Sequence, residues 1–130
     1  MKYVIPQIPP SGNQFAGRQN VWEYRAQKQR WKGLVALLCS PKPKAPLVRA
    51  IVRITYFFPD RRRRDPDNYC GKMILDGLTA VGVIQDDSFG CIQLVLRGEC
   101  DPDNPRTEIE VEEIEDGEHL QSGPVEMGGG

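Results

Sequence analysis

The sequence predicts an α+β fold, a small mixed β-sheet of about four strands packed with two helices. Two observations carry that reading. Apolar residues alternate at period two over residues 47–58 and again over 107–112, the mark of half-buried strands. Over residues 21–39 and 74–81 they recur at helical spacing instead. A chain of 130 residues with 39% apolar and 27% charged side chains is long enough and ordinary enough for one core. The expected domain is residues 1–115. Residues 116–130 are acidic, Gly-rich and poor in apolar residues, and are expected to form a flexible tail.

Taken in order, residues 2–8 predict a short strand, and Pro6 restricts it to a sheet edge because it cannot donate to a ladder. Pro9-Pro10-Ser11-Gly12-Asn13 breaks regular structure, and the loop runs on past Gly17 to Arg18. Asn20 is the expected N-cap of a helix over residues 21–39. Its apolar stripe is Val21, Tyr24, Trp31, Leu34, Val35 and Leu38, and the aromatics are read as core, not as platforms for bases. Arg25, Lys28, Arg30 and Lys32 make its other surface basic. Pro41, Pro43 and Pro46 end it. The clearest strand follows over 47–58, with Val48, Ala50, Val52, Ile54, Tyr56 and Phe58 on one face.

Pro59-Asp60 closes that strand. A second helix is expected from Pro66 or Asn68 to Ala80, capped by Asp67 or Asn68 and stopped near Gly82. Asp86-Asp87-Ser88 reads as a turn into a strand over 91–97, with Ile92, Leu94 and Leu96 on one face. Asp101-Pro102-Asp103-Asn104-Pro105 is read as a hairpin-like turn into the last strand, where Ile109 and Val111 face inward.

The net charge of −1 conceals a division. Residues 1–64 hold 14 Lys and Arg against 2 acids, while residues 65–130 hold 3 against 16. Either the halves neutralise each other across one fold, or the basic half meets a polyanion and the acidic half supplies a site or tail. No apolar run approaches the roughly 20 residues of a membrane span, and no secretory leader is expected. Cys39, Cys70, Cys91 and Cys100 lack zinc-finger spacing and read as reduced thiols of a cytoplasmic protein.

The chemistry concentrates in residues 61–87. Arg61, Arg62, Arg63 and Arg64 run directly into Asp65-Pro66-Asp67-Asn68, with Lys72 soon after and Asp86-Asp87 further on. Guanidinium forks match phosphate oxygens, and clustered carboxylates suit a hard cation such as magnesium. Two aspartates at i and i+2 outside a helix can turn toward one ion, and a third from a separate segment, Asp86 or Asp87, would leave an open set. Lys72 could hold a scissile phosphate or offset charge on a leaving oxygen. Each signal alone is weak; their order within residues 61–87 is specific.

Arg-Arg-Arg-Arg-Asp-Pro-Asp-Asn, Lys72, Leu75-Asp76-Gly77-Leu78 and Asp86-Asp87 closely resemble the RusA family of Holliday-junction resolvases. Pro9-Pro10-Ser11-Gly12-Asn13 resembles the family's N-terminal Pro-Pro-Ser-x-Asn, so the likeness spans roughly residues 3–114. The resemblance implies a bacterial or phage-encoded homodimer that nicks four-way DNA junctions symmetrically, with Mg2+ or alternatively Mn2+. It makes Asp65, Asp67 and Asp87 the metal carboxylates and Lys72 the catalytic lysine. Arg61, Arg62, Arg63, Arg64, Asn68 and Lys72 become the DNA contacts. Lys72 lies five residues beyond Asp67 where the family pattern has four. One extra residue turns a helix by about 100°, so either a short loop absorbs it or Lys72 is not the equivalent residue.

Two other readings compete. An aspartyl-phosphate phosphatase also places Asp-x-Asp after a strand, but there the first aspartate follows directly; here Asp60 and the four arginines intervene. A non-catalytic DNA-binding module would use its aspartates as caps or as counter-charges for arginine.

Overall fold

The computed structural model describes residues 1–15 and 21–115. The expected cap Asn20 and the expected tail over 116–130 therefore lie outside the described residues. The elements run β1 (Lys2–Ile5), α1 (Val21–Leu38), β2 (Ala50–Phe58), α2 (Lys72–Ala80), β3 (Ile92–Cys100) and β4 (Arg106–Glu113). Single 3-10 turns lie at Gly12–Phe15 and Pro66–Asn68 among the described residues. The four strands form one mixed sheet in the order β1-β4-β2-β3. The α+β expectation of four strands and two helices holds.

β2 organises the sheet because its pattern is the most regular. Ala50, Val52, Ile54, Tyr56 and Phe58 are buried, and the residues between them are not. Burying a large apolar side chain contributes roughly 1.5–3 kcal/mol, which fixes which face turns inward. Ile54 pairs with Ile109 of antiparallel β4 on one side and with Leu96 of parallel β3 on the other. The parallel β2–β3 pair needs a crossover, and α2 supplies it. Trp31 and Val35 of α1 meet Ile74 and Leu78 of α2 in the same core. At the helix crossing a methyl on Gly77 would stand 2.9 Å from Val35 Cγ2, so only glycine permits this approach.

The opposite face of the sheet is polar. Lys2 pairs with Glu108 at 3.2 Å, and Arg53 pairs with Glu112 at 2.9 Å and Glu110 at 3.5 Å. These pairs join the basic half of the chain to the acidic half, so part of the charge division is mutual neutralisation. Among the described residues no helix is long and apolar enough to cross a membrane. All four cysteines are free; burial pushes the Cys39 thiol up to about 11, which makes it inert.

Several expectations are corrected. The turn from Asp101, closed by Asn104 N–H donating to the Asp101 carbonyl at 3.2 Å, does not make a hairpin. β3 and β4 are not neighbours; β4 crosses to the far side of β2 and fits between β1 and β2. The first strand stops at Ile5, at the predicted edge, and β2 begins at Ala50, leaving Val48 exposed. On β3 only Ile92 is buried, because beyond it this edge strand is partly uncovered and Leu94 is exposed. The second helix does not begin at Pro66 or Asn68. A 3-10 turn there is broken at Tyr69, and α2 starts at Lys72 with Gly71 as its N-cap at φ 81.

Candidate active site

The site begins where β2 ends. Asp60 accepts from the Arg62 backbone N–H at 3.0 Å and from the Arg64 guanidinium at 3.0 Å. Those bonds hold its carboxyl below the ordinary carboxylate value. They also fold residues 60–64 into a loop whose arginines differ in use. Arg64 turns inward, only 15% exposed, with its guanidinium 4.3 Å from the Phe58 ring centroid and bonded to the Asp60 and Arg62 carbonyls. Arg62 and Arg63 turn outward at 75% and 88% exposure, and Arg61 is exposed beside them. The run of four therefore keeps three guanidiniums exposed, with Arg62 paired to Asp60 and Arg63 to Asp65, each at 3.2 Å, and spends one on the scaffold.

Asp65 and Asp67 follow on the 3-10 turn. Asp65 sits at the N-cap position in extended geometry, yet its side chain makes no cap bond. Its Oδ1 instead accepts from Arg63 Nε at 3.2 Å. Asp67 is exposed and caps neither the turn nor α2. The capping role expected of Asp67 or Asn68 falls to the backbone of Gly71. That glycine is required: its φ is left-handed, and a methyl there would stand 2.7 Å from Ile54 Cδ1. Tyr69 to Gly71 stand between the 3-10 turn and Lys72, which becomes the first residue of α2.

Lys72 Nζ donates to Asp76 Oδ1 at 3.2 Å, one turn along α2. Lys28 of α1 lies 3.6 Å from the other oxygen, Oδ2, which is sealed from solvent and has no hydrogen-bond partner among the described residues. At 3.6 Å the Lys28 contact is an ion pair and not a hydrogen bond. The Asp76 hydrogen bond and the charges of Asp76 and Asp87 raise the Lys72 pKa, so Lys72 is held as an ammonium. Asp76 lies in the Leu75-Asp76-Gly77-Leu78 stretch, where residue type alone assigns it no role. The i, i+4 spacing was the available signal, whereas the approach of Lys28 is tertiary.

Of the acidic pair, Asp86 is exposed, while Asp87 is half-buried and acts on Lys72 through its charge. Their turn is fixed from both sides. Gln85 N–H donates to the Leu47 carbonyl at 2.9 Å, and the Ser88 carbonyl accepts from Cys91 and Ile92 N–H, each at 3.0 Å. Asp87 lines an apolar hollow with Phe89 and Leu94, apart from the clefts that Asp65 and Asp67 line. Among the described residues no group of three or more His, Cys, Asp or Glu side chains is placed to hold a metal ion. The fit to a divalent cation is one of donor type: exposed carboxylate oxygens at Asp65 and Asp67, with Asp87 near enough for its charge to act on Lys72.

Two clefts meet at the turn. One, lined by Arg62, Arg63, Arg64 and Asp65, also touches Ser11 and Asn13. The other, about 250 Å3, lies between Pro9, Pro10, Phe15 and Tyr24 on one side and Asp67, Gly71 and Lys72 on the other. Asn68 and Tyr69 line both. The Pro9-Pro10-Ser11-Gly12-Asn13 loop is thus part of the site, where composition alone read a connector. Trp31 is core as expected, but Tyr24 is only half-buried and stands at the cleft. The second acidic tetrad is not part of this arrangement: Asp101 accepts from Arg106 at 2.8 Å, and Arg106 also bonds Glu108 at 2.8 Å.

No significant match to the chain occurs among curated proteins. The model of the family described as Endodeoxyribonuclease RusA matches residues 7–112, from just before the proline loop into the last strand. That span takes in the arginine loop, both aspartates of the turn, Lys72 and Asp87, and the chain belongs to the RusA endodeoxyribonuclease family.

Proposed function

We propose that this chain is a Holliday-junction resolvase: a divalent-metal-dependent endonuclease that makes paired nicks in four-way DNA, as a homodimer, in recombination and repair. The observation that carries the reading is the placement of Lys72. Its ammonium stands at the start of α2, near the Asp87 charge, in a cleft shared with Asp67 and adjoining the arginine loop. Arg61, Arg62 and Arg63 supply exposed donors for backbone phosphates, a contact that reads branched shape more than base sequence. Asn68, between the two clefts, adds a neutral donor. Lys72 holds the scissile phosphate and offsets charge on its oxygens.

Asp65, Asp67 and Asp87 are the residues that would hold Mg2+ or Mn2+. When bound, such an ion supplies Lewis-acid activation and an activated water. A dimer would present one such site to each of two opposed strands.

One observation favours a second reading, a DNA-binding module without catalysis: the three carboxylates do not form one cluster among the described residues. One assay decides. A synthetic four-way junction is incubated with the protein and Mg2+, with Mn2+, or with EDTA. Paired nicks that need the metal support the resolvase; tight binding without nicks under all three conditions leaves the binding module.

A further inference from the structure

We propose that the aromatic cleft beside the arginine loop seats one unstacked nucleobase of the strand being cut. This inference rests on the nuclease reading and adds a subsite to it. The two adjoining clefts differ in chemistry as the two parts of a nucleotide do. One presents Arg62 and Arg63 and suits an anionic phosphate. The other is walled by Phe15, Tyr24 and Tyr69 and suits a flat ring with a π face. Because Asn68 and Tyr69 belong to both, phosphate and base of one strand can engage the two clefts together.

Size and rigidity agree. At about 250 Å3, the aromatic cleft is smaller than the roughly 300–1,000 Å3 of pockets for drug-sized ligands, and so it suits a single ring system. Its walls are held in place. Tyr69 meets Tyr56 edge-on at 5.7 Å and Phe58 at 5.1 Å, and Phe15 meets Tyr24 edge-on at 5.2 Å. An apolar side chain from a partner protein could also enter such a cleft, but it would make no use of the cationic neighbour. Charge complementarity therefore selects nucleic acid. Turning a base out of the stack costs a few kcal/mol, least where pairing and stacking are already interrupted, and a branch point distorted by the protein is such a place. Stacking on aromatic rings tolerates any base, consistent with recognition by branched form.

The test uses full-length protein, Mg2+ and four-way junctions in which one nucleotide flanking the scissile phosphate is either intact or abasic. The abasic junction keeps every phosphate and removes only the ring. Wild-type protein is expected to nick it about 10- to 100-fold more slowly than the intact junction at one of the two flanking positions. Tyr24→Leu is expected to nick the intact junction slowly and to distinguish it from the abasic one by less than about 3-fold. Equal wild-type rates on intact and abasic junctions at both positions overturn the inference while leaving the nuclease reading in place, without depending on the folding of any variant. A Tyr24→Leu protein that keeps the full wild-type discrimination overturns it as well. Wild-type protein that nicks neither junction sinks the nuclease reading and this inference with it.

Discussion

Asp76 holds two lysines from two helices: Lys72 Nζ lies 3.2 Å from Oδ1, and Lys28 Nζ lies 3.6 Å from Oδ2. A carboxylate so placed restricts the rotamers of Lys72 and ties α2 to α1 just behind the site. It lines neither of the clefts that meet at the turn, so the role expected of it is positioning. Asp76→Asn is expected to lower the nicking kcat by about 10-fold with little change in KM. Stability should fall by no more than about 1 kcal/mol, read from urea midpoints. Asp76→Glu should recover part of the rate. An unchanged kcat in Asp76→Asn would remove the positioning role.

The same pair gives a pH prediction. The Lys72 pKa is raised from 10.5, first by the hydrogen bond to Asp76 and further by the charges of Asp76 and Asp87. Its contribution to stability is therefore complete below the unfolded value and is lost as pH rises through the higher folded value. In Asp76→Asn that loss should begin at lower pH. Thermal melts between pH 9 and about 11 check this: parallel curves for wild type and variant would contradict it.

Asp65 and Asp67 carry the metal proposal. Asp65→Asn or Asp67→Asn keeps side-chain size and removes the charge, so junction binding should persist while nicking falls by at least about 100-fold. Because Asp65 also accepts from Arg63, Asp65→Asn keeps an acceptor but removes the charge that holds that guanidinium, and binding should be equal or slightly tighter. Nicking by Asp65→Asn at the wild-type rate would end its assignment as a ligand.

The four arginines should separate into two classes. Replacing Arg62 and Arg63 by Ala should reduce the slope of log affinity against log salt by about 2 and leave the melting temperature within error. Arg64→Ala should do the reverse. It loses the stacking on Phe58 and the bonds to the Asp60 and Arg62 carbonyls, at a cost of about 1–3 kcal/mol. A salt slope that drops equally for Arg64→Ala would show that this residue also contacts phosphate.

Gly71→Ala should be the most disruptive small change in the site. The residue sits at φ 81, and the added methyl would meet Ile54 Cδ1 at 2.7 Å. Left-handed geometry costs a non-glycine residue about 1–2 kcal/mol, and overpacking adds to that. Chemical denaturation of the variant measures the sum; a loss under about 0.5 kcal/mol would mean that the loop relaxes freely.

Much of the fold was legible because it is written locally. The alternation from Ala50 to Phe58 predicted which side chains of β2 are buried, and the stripe through Trp31 and Val35 placed α1 within a residue of its C-terminal end. The errors share one cause. Asp101-Pro102-Asp103-Asn104 carries the turn chemistry of a hairpin, but the strand that receives β4 is chosen by the match of Ile109 to Tyr3 and Ile54. That match is between residues far apart in the chain. Likewise Asp67 has the residue type of a cap, yet the residue before α2 is the left-handed Gly71, lying close against Ile54.

The order of charged residues in 61–87, and the family it resembles, were determined by sequence alone. That pattern pointed to Asp65, Asp67, Lys72 and one of Asp86 and Asp87, and the resemblance chose Asp87. Only the tertiary structure decided that Arg64 belongs to the scaffold, that Asp76 joins Lys28 to Lys72, and that the proline loop and Tyr24 wall a cleft beside them. The reason is physical: residue type fixes what a side chain can donate or accept, while its partner and its solvent exposure are set by segments that meet only when the sheet and helices pack.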